Sequence, residues 1–190
     1  AAAAAAAQAL SGGGADGEPP TTRAPFVGIR IKSLEAATRR RGIRTLDVFL
    51  DALLKSAPFT PDLLVTLPKV TSVAQVEAMV RLCERAEKAY ELPAGSLRFE
   101  IQVETPQAVL GPDGTALVAP MLHAAVGRCV GLHYGTYDYS ASLGIAAAYQ
   151  SMEHPAADHA KAVLQVAAAG TGVRLSDGST NVLRIAWVED

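Results

Sequence analysis

Residues 97–106 read Leu97-Arg98-Phe99-Glu100-Ile101-Gln102-Val103-Glu104-Thr105-Pro106. Side chains alternate along a β-strand, so Glu100, Gln102 and Glu104 share one face while Ile101 and Val103 point the other way. Pro106 then stops the strand. Three polar side chains on an inward face bury charge at real cost unless something binds them. A divalent cation held by carboxylate oxygens, water and substrate is one compensator. Pairing of Glu100 with Arg30 or Lys69 is the other.

Working outward, similar short runs recur: FVGIRI (26–31), DLLVTL (62–67), CVGLHY (129–134) and a weaker VLRIAWV (182–188). Helical patterns lie between them. Leu46, Phe49, Leu50, Leu53 and Leu54 repeat at helical spacing in 45–55, and Val73, Val76, Val80, Cys83 and Ala86 do so behind Ser72 as N-cap. Leu122 and Val126 mark a third helix, and Pro155 opens a fourth. Strand and helix in alternation predict a parallel sheet, either doubly wound or closed as a (β/α)8 barrel. No G-x-G-x-x-G follows the first run and no P-loop occurs. Instead Arg30, Lys69, Glu104 and Asp138 stand at or just past successive strand C-termini, where barrel enzymes place their active residues. The expected fold is therefore α/β, of the TIM (β/α)8 barrel type.

Composition is compatible with a buried core. Of 190 residues, 49% are hydrophobic and 19% charged, and 17 basic against 19 acidic side chains give a net charge of −2. This balance excludes a polybasic nucleic-acid binder and wholesale disorder. No apolar run reaches the ~18 residues of a membrane span. The expected partners therefore include neither nucleic acid nor membrane. Two cysteines, Cys83 and Cys129, are too few for a disulfide framework and read as buried free thiols. The opening alanines lack the basic flank and leucine-rich core of a signal peptide, so the expected compartment is the cytoplasm. Residues 1–25 read as an alanine-rich helix end plus a Gly/Pro-rich loop, and 26–190 as the barrel domain.

The fourth run leads into His133-Tyr134-Gly135-Thr136-Tyr137-Asp138. Asp138 brings a second carboxylate to the rim reached by Glu104, or else caps the following helix. His133 lies beside that loop, as a group that orients a ligand or as a core histidine. His123 reads as a surface side chain. His154 and His159 are five apart, not the i, i+4 of a helical zinc pair. Arg39, Arg40, Arg41 and Arg44 read as a solvated face, with a phosphate or CoA contact as the sharper alternative, and the glycine-containing loop at 177–181 reads as a turn or phosphate cradle.

At this point the motifs become specific. IQVET (101–105) followed by GLHYGTYDYSASLGI (131–145) resembles the paired strand-end motifs of the HpcH/HpaI aldolase and citrate lyase β-subunit family, within the phosphoenolpyruvate/pyruvate-binding barrel superfamily. FVGIRIKSLE (26–35) resembles that family's V-R-I-N strand, and LLVTLPKVTS (63–72) its L-P-K-V strand end. The asparagine of V-R-I-N is replaced by Lys32, and Thr136-Tyr137 stands where smaller residues are frequent. The resemblance implies Glu104 and Asp138 as ligands of Mg²⁺ or Mn²⁺, and Arg30 and Gln102 as catalytic groups beside a 2-oxoacid. Arg30, Lys69, Gly135 and Thr136 are the implied substrate-binding positions.

The implied activity is a divalent-metal-dependent carbon–carbon lyase or aldolase acting on a 2-oxoacid or acyl-CoA ester through a metal-stabilised enolate. The alternative is a non-catalytic metal- or ligand-binding barrel subunit. The resemblance also implies a homo-oligomer. It assigns no catalytic base. A complete barrel needs about 250 residues, so the expectation is that only the middle βα units are present in this chain.

Overall fold

A computed structural model describes residues 2, 3, 5, 6 and 26–179. Among these, five strands form one sheet: β1 (Val27–Arg30), β2 (Leu63–Leu67), β3 (Arg98–Val103), β4 (Cys129–Tyr134) and β5 (Arg174–Ser176). Their spatial order is the chain order, and every neighbouring pair is parallel. A doubly wound sheet reverses direction at a switch point. Nothing reverses here, so this is the sequential winding of a (β/α) barrel wall.

The connecting helices are α1 (Arg39–Ser56), α2 (Val73–Ala89), the short α3 (Pro106–Val109), α4 (Val118–Ala124), the short α5 (Thr136–Ser142) and α6 (Pro155–Ala168). Their apolar stripes cover one face of the sheet. Leu63, Val65, Leu67, Phe99, Ile101, Val103, Leu132 and Tyr134 are buried in one core with Leu46, Leu50 and Leu53 of α1, Val76, Met79 and Cys83 of α2, and Leu164 of α6. Both cysteines are buried free thiols. The opposite face is polar. In register across it lie Arg30, Thr66, Glu100 and Gly131, and one step toward the strand ends Gln102, His133 and Ser176. Among the described residues no helix is long and apolar enough to cross a membrane.

Local departures from the expectations have physical reasons. Helix α1 starts at Arg39, six residues before the apolar repeat, on an exposed arginine turn. Helix α4 ends at Ala124: Val126 is 75% exposed with φ 50, ahead of Gly127 at φ 75. The i, i+4 match of Leu122 to Val126 is thus a chance of spacing. The sequence pattern does not mark strand β5, because it is three exposed residues at the edge of the described sheet. The run at 182–188 lies outside the described residues. Of the segment 1–25, residues 2, 3, 5 and 6 are helical and Ala3 and Ala6 are buried, while the rest lies outside them.

At the N-terminal end of the strands one ion pair joins three elements. The Arg128 guanidinium donates to the Glu87 carboxylate at 2.6 and 2.9 Å, and the backbone N–H groups of Gly95 and Leu97 donate to the same carboxylate at 3.0 and 2.8 Å. The side chains are 11% and 4% exposed. Burial opposes ionisation of Glu87, but these donors outweigh it and hold its carboxyl below the usual range. Removing one member of such a pair strands a buried charge, so Glu87→Gln should lower unfolding free energy by ~3–5 kcal/mol in urea titrations. In the wild type the pair's contribution is complete above the ordinary carboxyl pKa of 4.5 and disappears as pH falls through the lowered folded-state value. The variant's stability profile should lack that acid-side loss.

Candidate active site at the strand ends

The C-terminal ends of β1 to β4 bring Arg30, Lys69, Gln102, Glu104, Gly135 and Asp138 into one connected group. Glu104 follows β3 with the parity of Glu100 and Gln102, so it continues the polar face. It is 2% exposed. One carboxylate oxygen accepts from the Lys69 backbone N–H at 2.9 Å, and the other from Gln102 Nε2 at 3.0 Å. Gln102 Oε1 in turn accepts from Arg30 at 3.4 Å. Arg30 is exposed at the end of β1.

Lys69 makes this possible through a backbone feature that its side chain does not advertise. Its φ is 54, the left-handed region that costs a non-glycine residue free energy of order 1–3 kcal/mol. That turn after Pro68 aims the N–H at Glu104. The Lys69 ammonium meanwhile reaches Asp138 Oδ2 at 2.7 Å. The neighbouring strand end is tied down as Thr105 Oγ1 donates to the Val70 carbonyl at 2.6 Å.

Asp138 lies in the first turn of α5 and hydrogen-bonds Glu104. The two carboxyls are therefore neither independent nor equal. Burial, and then the hydrogen bond to Asp138, push Glu104 up to about 7, with the Lys69 ammonium working in the opposite direction. The hydrogen bonds from Lys69 and Glu104 hold Asp138 below its ordinary value. The hydrogen bond between the two carboxyls thus carries a proton that favours Glu104 over Asp138.

This donor set fits a hard divalent cation. Two carboxyls meet, one of them buried with neutral donors, and a cation between them would replace the shared proton. Among the described residues no three His, Cys, Asp or Glu side chains gather as a cage. Mg²⁺ accepts that arrangement, because it is held by one or two carboxylates and keeps water and substrate oxygens in its remaining positions.

Gly135 is required by proximity. A Cβ there would stand 2.5 Å from Glu104 Cβ, 3.2 Å from Glu104 Oε2 and 3.2 Å from Gln102 Nε2. Thr136 is placed differently from the other residues. It is buried, its hydroxyl has no hydrogen-bond partner among the described residues, and a Cβ on Gly178 would land on that oxygen. Its side chain therefore faces the loop after β5. Glu100 is paired neither with Arg30 nor with Lys69: Thr66 Oγ1, its register partner on β2, donates to it at 2.6 Å. Arg39, Arg40, Arg41 and Arg44 lie exposed on α1, His123 is exposed on α4, and His154 caps α6 by accepting from the Ala156 N–H at 3.1 Å.

Comparison with solved structures supports the barrel-type fold. A citrate lyase from Burkholderia xenovorans LB400 is 22% identical with a TM-score of 0.65, covering 96% of this chain and 52% of its own. Malate synthase from Haloferax volcanii, in a magnesium/glyoxylate complex, is 16% identical at TM-score 0.63, covering 84% and 45%. An HpcH/HpaI aldolase/citrate lyase family protein from Burkholderia cenocepacia J2315 is 18% identical at 0.52, covering 79% and 57%. The chain thus spans about half the length of these structures. No curated protein sequence matches it. By sequence, over residues 1–190, the chain belongs to the family described as Domain of unknown function (DUF6986).

Proposed function

We propose that the chain carries the active-site wall of a carbon–carbon lyase or aldolase that uses Mg²⁺ or Mn²⁺ and acts on a 2-oxoacid or an acyl-CoA ester. The observation that carries this reading is the Glu104–Asp138 carboxyl pair at the strand ends, with Arg30 joined to it through Gln102. The barrel-type neighbours, titled as citrate lyase, malate synthase and aldolase, support the reaction class, and the magnesium/glyoxylate complex among them supports the metal and an oxoacid.

Each residue has a definable task. Glu104 and Asp138 would hold the cation, which when bound supplies Lewis-acid polarisation of a carbonyl oxygen. Arg30 offers a planar, permanently charged fork to a substrate carboxylate or to charge developing on oxygen. Gln102 fixes the distance between that guanidinium and Glu104 by bonding both. Lys69 fixes Glu104 with its backbone and Asp138 with its ammonium. The absence of a side chain at Gly135 leaves Glu104 its position.

Solvent-deuterium exchange into the methyl group of pyruvate, followed by NMR with Mg²⁺ or Mn²⁺, tests the reading. Exchange is expected in the wild type and lost in Glu104→Gln and Asp138→Asn; an unchanged rate in both variants defeats the proposal. Gly135→Ala should weaken Mg²⁺ binding by ~10–100-fold in calorimetry, the effect of displacing a ligand's support, with the fold intact by circular dichroism. Arg30→Lys should weaken oxalate binding about tenfold, a loss of about 1.4 kcal/mol, because an ammonium cannot reproduce the guanidinium fork.

A further inference from the structure

Abstraction of a proton from carbon needs a base, and the group around Glu104 leaves that role open. His133 stands next to it on the same wall. It is the register partner of Gln102 on one side and of Ser176 on the other. It occupies the polar face one step below Glu104 and Gly135 and is half-buried.

Ser176 holds its ring in place. Ser176 Oγ donates to the Asp177 carbonyl at 3.3 Å. The same oxygen lies 3.0 Å from His133 Nδ1, where it can accept from an Nδ1–H. With the ring proton on Nδ1, Nε2 carries a free lone pair. Among the described residues Nε2 has no hydrogen-bond partner. The charged groups on the same face are Glu100 on β3, Arg174 on β5 and Arg30 on β1; Glu100 is engaged by Thr66 and Arg30 by Gln102.

We infer that His133 Nε2 is the proton-transfer group of this site, and that Ser176 is its positioning residue. The inference rests on the lyase reading above. In the step, the C–H bond beside the substrate carbonyl breaks and the proton moves to Nε2, giving an imidazolium. The bond's electron pair becomes the new carbon–carbon double bond, and the carbonyl oxygen takes the negative charge. Return of the proton reverses the step, so no further reactant is needed. The Nδ1–H to Ser176 bond holds the imidazole in the tautomer that can accept.

The test compares exchange with binding in the full chain. His133→Gln should lower pyruvate methyl exchange by ~10²–10⁴-fold, the range for loss of a general base, while oxalate affinity in the presence of Mg²⁺ is unchanged. Added imidazole should restore part of the exchange in His133→Ala. Ser176→Ala should lower kcat with KM unchanged, and Ser176→Thr, which keeps the hydroxyl, should recover it. A second measurement needs no variant: oxalate should protect His133, but not the exposed His123, from diethylpyrocarbonate, as read by peptide mass. Exchange at the wild-type rate in His133→Gln, with Glu104→Gln inactive, overturns the role of His133 and leaves the lyase reading standing. Absence of exchange in the wild type overturns both. Should His133→Gln fail to fold, equal modification of His133 with and without oxalate overturns the inference, and protection supports it.

Discussion

A carboxyl group buried at the end of β3 sets the terms for the strand ends around it. Glu104 has lost nearly all contact with water, so each of its lone pairs must find a donor or its proton must stay on. The fold answers with a backbone N–H forced into position by the left-handed turn at Lys69, an amide from Gln102, and a second carboxyl from Asp138. Those three supports come from three different βα units. Their meeting requires the parallel register of β2, β3 and β4 to be held to within a residue. A one-residue slip would turn Gln102 and Glu104 into the apolar layer and put Ile101 and Val103 on the polar wall. Satisfaction of one buried group and specification of the sheet register are thus the same requirement.

The two faces of the sheet show how the chain separates stability from chemistry. On the helix-covered face every strand between β2 and β4 presents residues such as Leu67, Phe99, Ile101 and Leu132, which are fully buried. Each such side chain contributes roughly 1.5–3 kcal/mol relative to exposure. The other face buries little apolar surface and carries Arg30, Thr66, Glu100, Gln102, His133 and Ser176. It adds little to the core, and its hydrogen bonds run from strand to strand rather than from strand to helix. Substitutions on that wall can therefore change chemistry without removing the packing that holds the elements together.

How much of this was legible in the sequence depends on the range of each signal. Strands β1 to β4 and helix α2 were visible because a period of two or of 3.6 is written locally, and polar residues at strand ends marked the site. The rest is non-local. Thr66 became the partner of Glu100 only through the register of β2 against β3. The value of Lys69 lies in its φ as much as in its ammonium, and no residue type announces that. Strand β5 is too short and too exposed to show alternation, so Ser176, and with it the orientation of His133, could not be read from the chain. What sequence did supply at that position was the histidine itself, beside the glycine loop.

Two glutamates in the same molecule show why burial alone does not make a site. Glu87 and Glu104 are both nearly inaccessible, at 4% and 2% exposure. Glu87 receives four N–H groups, two of them from a guanidinium, and is held below its ordinary pKa. Its charge is fully compensated and it has no capacity left for a ligand. Glu104 receives two neutral donors and a like-charged neighbour, and is pushed up to about 7. Burial pushes both upward; at Glu87 the guanidinium and two backbone N–H groups overcome it, whereas at Glu104 the Asp138 carboxyl adds to it. At the N-terminal end of the strands a cation is built into the protein and the group is structural. At the C-terminal end no guanidinium among the described residues bonds the carboxyl pair directly, so the missing positive charge is supplied by a proton, in part by the exposed Lys69 ammonium, or by a bound cation. A carboxyl left in that state at a barrel mouth marks the place where a ligand completes the electrostatics.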